Sequence, residues 1–300
     1  MCFRLTTAIW LALELGAIAQ VPNAVSPDRI RELEAAANRG DTKAQFQVGR
    51  AYLKGEGVPK NFDQAFIFLD KAAAQGDPEA TGFLAVIYER GLGKPQDLAK
   101  ALELYRKAAN DGVPFAQYNL AVLLGKGQSI QPNRDEALSW LNKAAQGGLV
   151  DAEAMLGTFY FLGEEGLSKN YEKALRWLKP AAEGGNAAAQ NTLGVMFRDG
   201  FGVKIDPSKA AAYFTEAAEK GNAKAQSNLG FLYMRGLGLK KDLVLAYKWL
   251  LISKRQSEVT ADKLLGEIEP DLTPEVKNQG RKLADEFQTK KTAEPKPSSL

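Results

Sequence analysis

Six stretches of this chain repeat one another. Each opens on a glycine, at Gly40, Gly76, Gly112, Gly148, Gly185 and Gly221. The successive spacings are 36, 36, 36, 37 and 36 residues. A period in this range belongs to stacked helical hairpins. A helix of about 12 residues is marginal alone in water. One hairpin cannot cover its own apolar face, but neighbours in a stack cover each other's. The repeat therefore predicts an all-α fold with a continuous core and a long surface.

Positions within each copy have separate physical roles. A small residue opens the first helix at Ala44, Ala80, Ala116, Ala152, Ala189 and Ala225. Five residues on stands Gly or Ala (Gly49, Ala85, Ala121, Gly157, Gly194, Gly230), where two helices must approach closely. Three further on comes Tyr52, Tyr88, Leu124, Tyr160, Phe197 or Tyr233. These offsets place the set on one helical face. Gly55, Gly91, Gly127, Gly163, Gly200 and Gly236 then fit a helix end that needs positive φ. Asn61, Asp97, Asn133, Asn170, Asp206 and Asp242 are expected to cap the second helix. That helix closes on paired alanines such as Ala72-Ala73 and Ala217-Ala218.

The flanks complete the domain plan. Residues 20–39 hold a capping helix started by Ser26-Pro27. The array occupies 40–256, with copies at 40–75, 76–111, 112–147, 148–184, 185–220 and 221–256. Residues 257–289 supply two closing helices, the second started by Thr273-Pro274, and 290–300 read as a disordered polar tail. Pro180 conflicts with this pattern, because it falls inside a second helix and should bend it.

Composition narrows the chemistry. The net charge is +3 with both signs interspersed, which gives no nucleic-acid footprint. The chain has no histidine and one cysteine, Cys2. A histidine-based triad, a His or multi-Cys zinc site and an internal disulfide are therefore excluded. No cofactor is expected.

Residues 1–19 read as an export signal, with Arg4 ahead of an apolar run that ends in Ala17-Ile18-Ala19. Cleavage is expected between Ala19 and Gln20. A retained short anchor or a buried helix is the alternative, and Glu14 within the apolar run speaks for it. Cleavage would leave a chain without a thiol, which suits an oxidising compartment. The expected location is periplasmic or secreted, as a monomer with no stable membrane span after signal removal.

The segments "AKAQSNLGFLYMRGLGLKKDLVLAYKWL" and "PEATGFLAVIYERGLGKPQDLAKALELYRKAANDG" resemble the Sel1-like repeat, a relative of the tetratricopeptide repeat. The resemblance implies a right-handed α-solenoid of six hairpins that acts as an adaptor for protein partners. For exported members it implies envelope signalling, polysaccharide regulation or host contact. One cysteine-rich branch is linked to β-lactam chemistry, but its cysteine pairs are missing here.

In the related tetratricopeptide fold the first helices line a concave groove. Transferring that groove selects Phe46, Arg50, Val86, Glu89, Arg90, Tyr118, Val122, Lys126, Thr158, Phe161, Asn191, Val195, Arg198, Ser227, Phe231 and Arg235. These residues are either a partner-binding lining or packing within a tight superhelix. Glu164-Glu165 reads as a solvated turn rather than a cation site, and Lys240-Lys241 as a surface loop. The expected function is an exported binding scaffold with no chemistry of its own. The alternative is an envelope hydrolase acting on β-lactam or cell-wall material, although no S-x-x-K followed by K-T-G is present.

Overall fold

The computed structural model describes residues 26–126 and 133–293. The expected signal segment, its cleavage point at Ala19 and Gln20, and Gly127 lie outside the described residues. Among the described residues there are fifteen α-helices, one turn of 3-10 helix (Glu269–Asp271) and no strand. They form two compact units, one ending at Ala152 and the other starting at Glu153. The division falls in the fourth copy, the one whose period lengthens to 37 residues.

The first unit contains α1 (Pro27–Asn38), α2 (Thr42–Lys54), α3 (Phe62–Ala74), α4 (Pro78–Arg90), α5 (Leu98–Asn110), α6 (Pro114–Lys126), α7 (Arg134–Gln146) and the start of α8 (Val150–Leu162). The second contains the rest of α8 and α9 (Tyr171–Glu183), α10 (Ala187–Asp199), α11 (Pro207–Glu219), α12 (Ala223–Arg235), α13 (Leu243–Lys254), α14 (Val259–Ile268) and α15 (Pro274–Ala293).

Local chemistry sets where these helices start and stop. Each second helix begins on the residue expected to cap it. The side-chain oxygens of Asn61, Asp97, Asn133, Asn170, Asp206 and Asp242 each accept the backbone N–H three residues on, at 2.8 to 3.1 Å. Each bond satisfies one of the orphan donors of a helix N-terminus. Asp41, Asp77, Asn186 and Asn222 do the same for first helices. At the C-terminal end of α4, Gly91 has φ +67°, and its N–H reaches the carbonyl of Ile87. Glycine takes this left-handed turn without a Cβ clash.

Close packing within hairpins explains the small residue five positions after the opening alanine. A Cβ on Gly49 would lie 2.7 Å from Leu69 Cγ, and one on Gly194 would lie 2.6 Å from Phe214 Cδ1. No side chain fits there unless the facing helix moves. In the first unit Leu53, Leu69, Phe83 and Ile87 fill the core around α2 to α4. In the second, Phe214, Leu229, Leu232 and Trp249 pack together, and Tyr247, Leu250, Leu264 and Leu265 form a neighbouring cluster. The closing helix α15 lies against α13, with the Phe287 ring edge-on to Trp249 at 5.2 Å.

Two expectations are corrected. First, α15 continues through Ala293, so residues 290–293 are helical rather than part of a disordered tail. No proline follows until Pro295, and Lys290 and Lys291 favourably oppose the helix dipole in its last turn. Second, Glu165 is buried and Glu164 half-buried, so the acidic pair is not a solvated turn. Glu165 turns the chain with φ +53°, and burial, followed by the charge of Glu165, raises the Glu164 carboxyl above the usual carboxylate range. Pro180 lies inside the second helix of its copy, as expected, and α9 continues through it. Pro180 is exposed, so the ring sits on the solvent side and the carbonyl it leaves unbonded can turn to water.

Candidate functional site

The groove positions fall into three environments. Val86, Tyr118 and Ser227 are buried, at 2%, 3% and 2% exposure. Arg90 and Arg235 are exposed. Phe46, Arg50, Glu89, Val122, Lys126, Thr158, Phe161, Asn191, Val195, Arg198 and Phe231 are half-buried. The buried three are packing positions. Every residue of α4 from Ala80 to Ile87 is buried, so Val86 has no open side.

In the first unit an aromatic line crosses consecutive first helices. Phe46 and Phe83 have ring centroids 5.7 Å apart, and Phe83 and Phe115 are 4.9 Å apart. The Arg50 guanidinium lies over Phe46 at 5.8 Å. Glu89 accepts a 2.6 Å hydrogen bond from the hydroxyl of the fully buried Tyr105. Burial, and then the Glu89 charge, push that phenol well above its ordinary value. The Tyr118 hydroxyl is buried with no hydrogen-bond partner among the described residues, and burial raises it too.

In the second unit a polar ladder joins two first helices. Asn228 Nδ2 donates to Asn191 Oδ1 at 3.0 Å, and Arg198 Nη1 donates to Asn228 Oδ1 at 2.8 Å. The Arg198 fork also grips Asp199 through two bonds of 2.7 Å. Beside the ladder, half-buried Val195 and Phe231 pack on the core of the unit. Arg235 lies over the Phe231 ring at 5.9 Å and pairs with Glu267 at 3.4 Å. Phe161 joins Tyr171 and Phe201 in a three-ring cluster, with centroids 5.3 to 5.9 Å apart. The Thr158 hydroxyl donates to the carbonyl of Ala154 on its own helix at 2.8 Å. Ser227 shares a 2.8 Å bond with Ser253, both buried.

Two residues that the groove transfer missed stand beside these. Asn228 lies one position past the chosen offset. Lys54 occupies the same register as Arg90, Lys126 and Arg235, and that register was its visible sign. Among the described residues no group of three His, Cys, Asp or Glu side chains could hold a metal, and no helix is long and apolar enough to cross a membrane. The arrangement therefore offers apolar and aromatic contacts edged by amides and guanidinium groups.

Family comparison places this arrangement. The Sel1 repeat model matches six times, at residues 42–77, 78–113, 114–149, 150–186, 187–222 and 223–257. The chain belongs to the Sel1 repeat family. Its Sel1 windows start two residues after the glycines that mark the period, where the first helices begin. Among solved structures, the chain is similar to c5321, a protective antigen present in uropathogenic Escherichia coli strains that displays an SLR fold. The identity is 34%, the TM-score 0.79, and the match covers 89% of this chain. The chain spans 57% of the length of that protein. It is also similar to a Sel1 repeat protein from Oxalobacter formigenes, at 31% identity and TM-score 0.63, over 77% of this chain and 97% of the other. Comparison with curated proteins gives no match. As a Sel1 protein the chain is an all-α solenoid by class, a scaffold of a kind suited to protein–protein interaction.

Proposed function

We propose that this Sel1 protein is an interaction scaffold that receives a segment of a protein partner along the first helices of its repeats. One observation carries the reading. Val195 and Phe231, on consecutive first helices, are packed on the core yet left partly open, and the Asn191–Asn228–Arg198 ladder lies next to them. An apolar centre with a hydrogen-bonding rim is the anatomy of a protein interface. Aromatic and arginine side chains are its usual energetic anchors.

The scaffold works without chemistry of its own and acts in the periplasm or outside the cell, serving envelope signalling, polysaccharide regulation or host contact. The apolar run before Ala19, the absence of a thiol after residue 19, and the likeness to an Escherichia coli protective antigen support this placement.

The test is capture of partners from lysates of the producing cells by the intact chain and by a Val195→Glu, Phe231→Glu double variant. The variant should keep its helical circular dichroism and lose the specific partner. Undiminished capture by the variant would refute the assignment. Turnover of nitrocefin or peptidoglycan by purified protein would refute the absence of catalysis, and cell fractionation tests the location.

A further inference from the structure

The first unit holds an incompletely neutralised pair of cations. Arg50 and Lys54 are four residues apart on α2 and so share one helical face. Lys54 is almost wholly buried, its side chain 6% exposed, and the Arg50 side chain is 18% exposed. Charged side chains this sheltered are normally paired and hydrogen-bonded. Here one carboxylate serves both. Glu56 Oε2 lies 3.8 Å from Arg50 Nε, and Glu56 Oε1 lies 3.8 Å from Lys54 Nζ. Both distances exceed a hydrogen bond. Arg50 Nε is buried with no hydrogen-bond partner among the described residues. Two positive charges thus face one negative charge, and Arg50 Nε is left without a hydrogen bond.

Among the described residues, Glu56 is the carboxylate that comes within 4.0 Å of either cation. Burial is the largest influence on the Lys54 amine and lowers it from its ordinary range, while attraction to Glu56 exceeds repulsion from Arg50. Glu56 also shows the size of group that suits the pair, because one carboxylate places an oxygen toward each cation.

We propose that Arg50 and Lys54 form a carboxylate-binding notch that takes an Asp or Glu side chain from an extended segment of the protein partner. The notch deepens the scaffold reading and rests on it. The acidic side chain would supply the hydrogen bond that Arg50 Nε lacks and a second negative charge beside Lys54. The Phe46 ring beside Arg50 would take an apolar neighbour of that acidic residue. Since the cations are already ordered and largely dehydrated, little further ordering opposes the contact.

The test is selection of random dodecapeptides displayed on phage against the intact chain and against an Arg50→Gln, Lys54→Gln variant. The notch predicts enrichment of Asp and Glu over the starting library on the intact chain, and no such enrichment on the variant. Lys54→Met, which keeps the aliphatic stem, controls for folding together with circular dichroism. A synthesised selected peptide should lose roughly tenfold or more in affinity when its acidic residue becomes Gln, and the same loss should follow from Lys54→Met. Glu56→Gln should tighten that peptide severalfold by removing the competing carboxylate, a gain that a purely structural role would not give. Selection without acidic enrichment, enrichment equal on the variant, or unchanged affinity with Glu56→Gln would each overturn the notch. If peptides without acidic residues are selected and Val195→Glu, Phe231→Glu abolishes their binding, the scaffold survives and the notch alone falls. If no peptide is selected, both fall.

Discussion

Gln226 Nε2 donates to the carbonyl oxygen of Ala218 at 3.1 Å, and both residues are fully buried. The bond ties the first helix of the sixth copy to the second helix of the fifth. Gln190 does the same to Ala182 in the second unit, and Gln45 to Ala37 and Gln117 to Ala109 in the first. The Gln226 amide oxygen accepts from Gln256 Nε2 at 2.7 Å as well. A buried amide that satisfies a helix-end carbonyl is costly to lose. Gln226→Leu should destabilise the second unit by about 1 to 2 kcal/mol, read as a lower melting temperature. An unchanged melt would show that the bond contributes nothing net.

In the fourth copy this register holds Glu153, which is buried. A carboxylate cannot donate as glutamine does. Burial raises its carboxyl above the ordinary value of 4.5. The folded state therefore holds this proton more tightly than the unfolded state. Glu153 contributes its stability fully below the unfolded value and loses it as pH rises through the folded one. Glu153→Gln should raise the melting temperature, with a gain that widens as pH rises past the unfolded value. A gain independent of pH would contradict the linkage.

Gly91→Val tests the backbone that ends α4. The position has φ +67°, and a Cβ would stand 3.3 Å from the backbone nitrogen of Gln96. A β-branched residue in the left-handed region should cost about 1 to 2 kcal/mol. The melting temperature of the first unit checks this.

Pro180→Ala should stabilise the second unit, since alanine restores a helix N–H and removes a ring from the interior of α9. The expected gain is about 1 to 3 kcal/mol. A loss would mean that the proline serves a purpose beyond the helix.

The legible part of this fold was the part written by local chemistry. Caps such as Asn61 and Asp242 and the left-handed Gly91 act within four residues, so residue type and spacing suffice to place them. What stayed hidden depends on neighbours. Gln226 reads as a surface residue by type, and its burial follows from the carbonyl it meets in the preceding copy. Val86 and Tyr118 occupy groove offsets but are buried, and α4 is enclosed around two turns. A register transferred from a related fold carries the direction of a side chain but not what the neighbouring copies place over it. The Lys54–Glu56–Arg50 arrangement was hidden for the same reason, because its meaning lies in distances that spacing does not give.

The central claim is that partners bind along the first helices. A photo-crosslinking amino acid placed at Phe231 in producing cells tests it directly, with Lys179, exposed on the second helix α9, as the comparison site. The account predicts a discrete protein adduct from position 231 and none from position 179. Adducts from position 179 alone, or equal adducts from both, would contradict it.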